Sequence, residues 1–377
     1  MFRPDGSGTV DLASTPAVSG SYRGVDPMGL IDSLQPAPGQ AGLSSAQGAL
    51  YYWNSSKPQR FEIMVTENGS KVAASTFSRA GAAPGVTVSA ESIAATGFFG
   101  QFWKPPAGSP PRPAVLEFGG SEGGLDGQLP GAALASAGYP TLDIAYFGEP
   151  SLPSQLKDIP LEYFARALGW LARQPGVLAN EMYVSGGSRG SEAALLLGAY
   201  YPGLVHGVIA SSPGYVTLCS YPGCTGPAWT LHGKPLPYTS GPDDPAPAAV
   251  IPVQKINGPL LLDCGTADQI WNSCAHAQAI QHHLTAVGDR HPHVLYRYLG
   301  AGHGVNGLIP YEPSSSGAVG LNVLGDTPLA NTDADARLWP EVLSFLANPA
   351  GQTGTITAPA TPPALNAPGA GLPARYG

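Results

Sequence analysis

Three segments place chemically capable side chains where the chain turns. "VSGGSRGSEAA" (184–194) sets Ser188 in Gly186-Gly187-Ser188-Arg189-Gly190, the G-x-S-x-G pattern, where an apolar run stops and an Ala/Leu-rich run begins. A serine hydroxyl is a weak nucleophile at neutral pH, so attack requires a histidine to take its proton and a carboxylate to orient that histidine. For a serine on a strand–turn–helix elbow the chain order is Ser, then acid, then His. "GPLLLDCGTADQIW" supplies Asp268, three residues past the Gly265 that ends an apolar run; Asp263 lies within that run and is expected to point into structure. "VLYRYLGAGHGVN" supplies His303 in a glycine-flanked loop after a strand. The expected triad is therefore Ser188, Asp268 and His303, and the other histidines read as solvated or core residues.

An attacked carbonyl develops negative charge that needs hydrogen-bond donors. The backbone N–H of Arg189 is one expected donor, and an amide of the loop "GGSEGG" (119–124), at Gly120 or Ser121, is the second. Cys219, Cys224, Cys264 and Cys274 follow no common zinc spacing, although "CSYPGC" suits a small disulfide-closed loop in an oxidising compartment. Neither a metal nor a cofactor is expected.

These residues need rigid elements behind them. "AVLEFGG", "YPTLDIAYF", "EMYVSGG", "LVHGVIASS" and "GPLLLDCG" read as strands. Between them, "LPGAALASAG" reads as a helix entered through Pro130 and ended at Gly138, and "SEAALLLGAYYP" as another. "PLEYFARALGWLARQPG" places Leu161, Phe164, Leu168 and Leu171 on one helical face and stops at Pro175-Gly176. This alternation predicts an α/β fold, a mainly parallel sheet with helices on both faces and ligands at the strands' carboxyl ends. Residues 216–250, rich in Pro, Gly and Trp, read as a lid, with Trp229 and Tyr238 as candidate pocket residues.

Residues 1–104 carry β-rich runs that suggest an antiparallel sandwich, including a hairpin at "VTENGSKV" turning on Asn68-Gly69. The proline-rich "KPPAGSPPRP" (104–113) reads as a boundary, followed by a catalytic unit over 105–347. The Pro/Ala/Gly-rich stretch over 348–377 is expected to be disordered.

With 43% hydrophobic and 12% charged residues among 377, the composition is that of a globular chain with a sizeable core. A net charge of −8 without a Lys/Arg run argues against nucleic acid as partner. No apolar stretch reaches the ~20 residues of a membrane span, and "MFRPDGSGTVD" lacks a signal-peptide core, so the default expectation is a cytoplasmic protein.

Together, "AVLEFGGSEGGL", "LDIAYFGEPSLPSQLKDIPLEYFARALGWLARQPGV", "VSGGSRGSEAALLLGA", "PAWTLHGKPLPY", "GTADQIWNS" and "GAGHG" resemble the acyl-CoA thioester hydrolase / bile acid-CoA:amino acid N-acyltransferase family, especially its bacterial members. The resemblance runs from about Asp5 to Leu346. It implies an immunoglobulin-like β-sandwich followed by an α/β-hydrolase domain with nucleophile, Asp and His at Ser188, Asp268 and His303. It further implies an acyl thioester substrate, an acyl-CoA, with water as acceptor, since acyl-transferring members tend to carry Cys where Ser188 stands. Two departures accompany it. The chain opens in what looks like the middle of the family's sandwich, which suggests a truncated first domain, and Ser191 stands where the family more often has glycine, a site where a side chain could crowd the elbow. Basic residues for coenzyme A are scattered: Lys157, Arg166, Arg173, Arg189 and Lys234 are the candidate contacts. The alternatives are an oxygen-ester hydrolase of dienelactone-hydrolase type, an N-acyltransferase, or a binding protein without catalysis.

Overall fold

The computed structural model describes residues 6–7, 10–12, 14–20, 24–25, 29–32, 58–125, 129–242, 246–305 and 330–359. After a short turn of helix, α1 (Gly29–Asp32), come β1 (Gln59–Glu67) and β2 (Ser70–Arg79), an antiparallel hairpin. Its turn is Asn68-Gly69, both at positive φ (51° and 79°), as a two-residue hairpin turn requires. The rest of the expected sandwich before this hairpin falls largely outside the described residues.

The central sheet has nine strands. In chain order these are β3 (Thr87–Glu91), β4 (Phe99–Lys104), β5 (Arg112–Phe118), β6 (Thr141–Ala145), β8 (Val177–Gly187), β9 (Gly207–Ser211), β12 (Leu260–Gly265), β13 (His293–Leu299) and β14 (Gly354–Pro359). Their spatial order is β14-β13-β12-β9-β8-β5-β6-β4-β3, parallel throughout except for β4 and β3 at one edge. The remaining strands, β7 (Ile159–Pro160), β10 (Trp229–Leu231) and β11 (Lys234–Pro235), form a small separate sheet. The helices are α2 (Ile93–Thr96), α3 (Leu129–Ser136), α4 (Leu161–Leu171), α5 (Arg189–Tyr200), α6 (Ser273–Ala286) and α7 (Ala330–Ala347).

Strand side chains alternate strictly between two cores. Leu116, Val184, Val208 and Leu262 face the layer of α4, α5 and α6, whereas Val115, Tyr183, Ile209 and Leu261 face α7 and Leu134 of α3. The apolar face expected on α4 is the buried one, with Leu161, Phe164, Leu168 and Leu171 inside.

Three expectations about organisation are corrected. β3 and β4, assigned to the first domain by the boundary at 104, belong to the central sheet. Phe102 meets Trp170 edge-on at 5.3 Å and Trp103 packs on Ala132 and Ala135 of α3, so apolar burial draws these strands onto the catalytic unit. The proline-rich stretch after Lys104 thus joins two strands of one sheet. The stretch from 348 is ordered as far as Pro359: "GTITAP" extends in register with β13 and caps the sheet edge. Residues 360–377 lie outside the described residues.

Asp263 sits wholly buried on β12, where it accepts a 2.8 Å hydrogen bond from the Ser211 hydroxyl. Burial pushes its carboxyl up to about 8, against a smaller lowering by that hydrogen bond. Between the ordinary aspartate value of about 4 and about 8 the folded state holds a proton that the unfolded chain releases, so rising pH favours unfolding across that window. Asp263→Asn, which keeps an acceptor for Ser211, is expected to flatten this dependence. Urea unfolding of both proteins at about pH 5 and about pH 8 measures it, and equal losses in the two would refute the assignment.

Candidate active site

The elbow between β8 and α5 places Ser188 at φ 54°, ψ −122°, a conformation costly for a residue with a Cβ and therefore held by its surroundings. The Ser188 N–H donates to Ser211 O on neighbouring β9 (3.0 Å). A Cβ on residue 186 would lie 2.5 Å from Gly190 O, and one on residue 190 would lie 2.5 Å from Gly119 O, so both flanking glycines are required by backbone packing. Ser191 does not crowd the turn. Its hydroxyl points back to donate to Ser188 O (2.6 Å) and accepts from the Gly214 N–H (3.2 Å).

The three expected residues meet at the carboxyl edge of the sheet, on loops following β8, β12 and β13. Ser188 Oγ lies 2.8 Å from His303 Nε2, and His303 Nδ1 lies 2.8 Å from Asp268 Oδ2. An ionised carboxylate only accepts, so Nδ1 carries the proton and a neutral ring leaves Nε2 free to accept from the serine hydroxyl. A base so poised can take the proton as Ser188 attacks an electrophilic carbon.

Asp268 also accepts from the Ile270 N–H (2.9 Å), the Trp271 N–H (3.2 Å) and the Ser273 hydroxyl (2.5 Å). Burial by itself would raise its carboxyl. The hydrogen bond and charge of His303, together with Ser273 and the Ile270 amide, hold it below the usual range, so it stays charged beside the imidazole. Asp263, the competing carboxylate, is spent on Ser211 inside the sheet.

The base is fixed from behind. Ser212 Oγ donates to His303 O (2.8 Å), the Gly302 N–H donates to Asn331 Oδ1 (2.7 Å), and the indole of Trp271 meets the imidazole edge-on at 4.7 Å. A Cβ on Gly265 would overlap the carbonyl oxygens of Ala301 and Gly302, so the acid and base loops can touch only through glycine.

Around the expected oxyanion donors the structure adds groups not foreseen from sequence. The Tyr146 hydroxyl lies 2.8 Å from Gly119 O and 2.9 Å from Gly120 O, pinning the loop after β5. The Gly120 N–H donates to the Glu122 carboxylate, which leaves that amide engaged within its own loop. Tyr146 ends a recognisable strand, but nothing in the sequence indicates which carbonyls its hydroxyl reaches.

Two residues given to substrate are used otherwise. The Arg189 side chain, 4% exposed, pairs with Glu192 (Nε–Oε1 2.6 Å) and donates to the carbonyls of Leu218 (3.1 Å) and Cys219 (2.9 Å), so its charge is consumed inside the protein and is not offered to a phosphate. Trp229, 1% exposed, packs among Tyr146 and Phe164 and donates its indole N–H to Glu192 Oε2 (2.8 Å); it is core and does not line an open pocket. Glu192 also accepts from the Leu218 N–H (3.1 Å). Its distance of three residues from Arg189 was the sequence signal for this pair. Tyr238 is 41% exposed, and Arg166, Arg173 and Lys234 are surface residues. Lys157 Nζ donates to Thr225 Oγ1 (3.1 Å), tying residues 216–250 to the loop before β7.

That segment is less irregular than expected. It contains β10 and β11 and is stapled by a Cys219–Cys224 disulfide, the loop "CSYPGC" suggested. A second bridge, Cys264–Cys274, joins the end of β12 to the start of α6 and closes the loop that bears Asp268.

A parallel sheet carrying an elbow serine, an acid and a histidine in this chain order at its carboxyl edge defines an α/β-hydrolase. A sequence profile described as the acyl-CoA thioester hydrolase/BAAT N-terminal region matches residues 1–91, and one for the BAAT/acyl-CoA thioester hydrolase C-terminal region matches residues 159–221 and 238–352. The chain belongs to the acyl-CoA thioester hydrolase/BAAT family. It is 29% identical to acyl-coenzyme A thioesterase 6 of Mus musculus over 91% of this chain and 84% of that protein. It is 26% identical to the peroxisomal succinyl-coenzyme A thioesterase of Mus musculus over 93% and 86%. A dienelactone hydrolase-like promiscuous phosphotriesterase from metagenomic libraries aligns with a TM-score of 0.48 at 17% identity, covering 70% of this chain and 99% of its own.

Because the Cys264–Cys274 bridge closes the Asp268 loop, the double variant Cys264→Ser/Cys274→Ser is expected to lose the ~2–3 kcal/mol of stability typical of short disulfide loops, seen as a lower Tm, and to change kcat more than KM. Calorimetry and steady-state kinetics read both. An unchanged kcat would show that the loop is held without the bridge.

Proposed function

We propose that the protein is a serine hydrolase of acyl thioesters, with acyl-CoA as substrate class and water as acceptor. The single observation carrying the mechanism is the unbroken hydrogen-bond line from Ser188 through His303 to Asp268. The substrate class rests on the family, whose members found here are named acyl-coenzyme A thioesterases.

In this reading Ser188 Oγ bonds to the thioester carbonyl carbon while His303 Nε2 takes the hydroxyl proton and the carbonyl electrons move onto oxygen. The Arg189 amide, at the start of α5, and an amide of the 119–124 loop receive that charge. Collapse breaks the C–S bond, and the departing sulfur takes the proton from His303, leaving an acyl-serine. Water attacks this ester, giving its proton to His303, and Ser188 is regenerated as the acid departs. Asp268 remains charged throughout and stabilises the imidazolium. The cycle balances without a cofactor.

The two disulfides favour action in an oxidising compartment over the cytoplasm.

Ser188→Ala is expected to lower kcat/KM for acyl-CoA at least about 10³-fold while leaving Tm essentially unchanged. A panel of acyl-CoA substrates measured against p-nitrophenyl esters of matched chain length tests the thioester assignment. Preference for the oxygen esters by orders of magnitude would move the protein to the carboxylesterases.

A further inference from the structure

Glu122 is an exposed carboxylate folded back onto the backbone N–H of Gly120, in the loop that borders the nucleophile. The position a Cβ would take on residue 120 lies 3.0 Å from Ser188 Cβ and 3.2 Å from Glu122 Oε2. The carboxylate and the nucleophile therefore flank the same residue from within one side chain's reach. An exposed glutamate has no need of an internal partner, because water solvates it well. The amide it binds, in contrast, is one of the loop's two candidate donors to a tetrahedral intermediate's oxygen, and one N–H cannot serve two anions at full strength.

We propose that Glu122 is an internal occupant of the oxyanion site: in the resting protein its carboxylate takes the Gly120 amide, and a reacting acyl carbonyl must displace it. The proposal rests on Ser188 being the nucleophile. The loop backbone does not depend on that carboxylate, because it is held elsewhere. Tyr146 holds the carbonyls of Gly119 and Gly120, and the Gly124 N–H donates to Phe147 O (2.9 Å). A Cβ on Gly123 would lie 2.7 Å from the Phe147 ring, so this end of the loop is closely packed as well. The donor thus stays in place when the carboxylate leaves. Glu122 therefore acts as a brake that discriminates against weakly bound esters, which cannot repay its displacement, and in favour of substrates anchored at a second point.

The test uses the full-length protein and a trifluoromethyl ketone, whose serine adduct places an oxyanion in the site, alongside fluorophosphonate labelling read by intact mass. Glu122→Ala is expected to bind the ketone about tenfold more tightly than the unmodified protein, and Glu122→Gln by an intermediate amount, since a neutral amide oxygen is the weaker competitor. Unchanged or weaker ketone binding in Glu122→Ala, with Ser188 still labelled, would overturn this proposal alone and make Glu122 a structural latch. Absence of labelling at Ser188 in every variant would overturn the nucleophile assignment and this proposal with it.

Discussion

The site depends on backbones approaching more closely than side chains permit. The strand before Ser188 and the helix after it touch at Gly186 and Gly190, the elbow touches the β5 loop at Gly119 and Gly120, and the acid loop touches the base loop at Gly265. At Gly186, Gly190 and Gly265 there is no room for a Cβ, and at Gly120 one would be tight. Together they bring loops from β5, β8, β12 and β13 onto one rim and hold Ser188 in a conformation that the isolated chain would avoid. The strain is sustained by the sheet beneath, whose alternating side chains are buried on both faces.

A second constraint is electrostatic. Arg189 and Glu192, both almost fully buried on the first turn of α5, neutralise each other and spend their remaining capacity on the backbone at Leu218 and Cys219 and on the indole of Trp229. Burial pushes the Glu192 carboxyl up, and Arg189, the Trp229 indole and the Leu218 amide oppose it. A buried ion pair tied to its surroundings by hydrogen bonds specifies geometry more than it adds stability. Here it couples the nucleophile's helix to Leu218, Cys219 and Trp229 of the segment that follows β9. Trp271, packed with Val216 and Leu218 and edge-on to His303, ties the same segment to the base.

Much of this was legible in the chain. The elbow motif, the Asp268 loop beyond a strand and the glycine-flanked His303 were readable because each is local: a residue type, a turn residue and an adjoining apolar period. The α4 face and the Asn68-Gly69 turn were readable for the same reason. Less legible were contacts whose partners lie far along the chain. β3 and β4 look like sandwich strands by period, and only burial of Phe102 and Trp103 against α3 and α4 places them in the central sheet. "GTITAP" has strand composition inside a Pro/Ala-rich stretch, and the open edge of β13 decides that it pairs. Arg189 read as a surface cation because its spacing to Glu192 does not reveal that the turn they share is buried.

By itself the sequence determined the chemistry available: a serine on an elbow, an acid and a histidine in the order that an α/β sheet requires, with glycines where backbones must cross. Tertiary structure alone decided which groups surround that chemistry. Tyr146, Trp271 and the Cys264–Cys274 bridge act across distances that no local pattern encodes, because hydrogen bonds, ring contacts and disulfides are chosen by three-dimensional proximity, whereas turns and periods are written in the order of the residues.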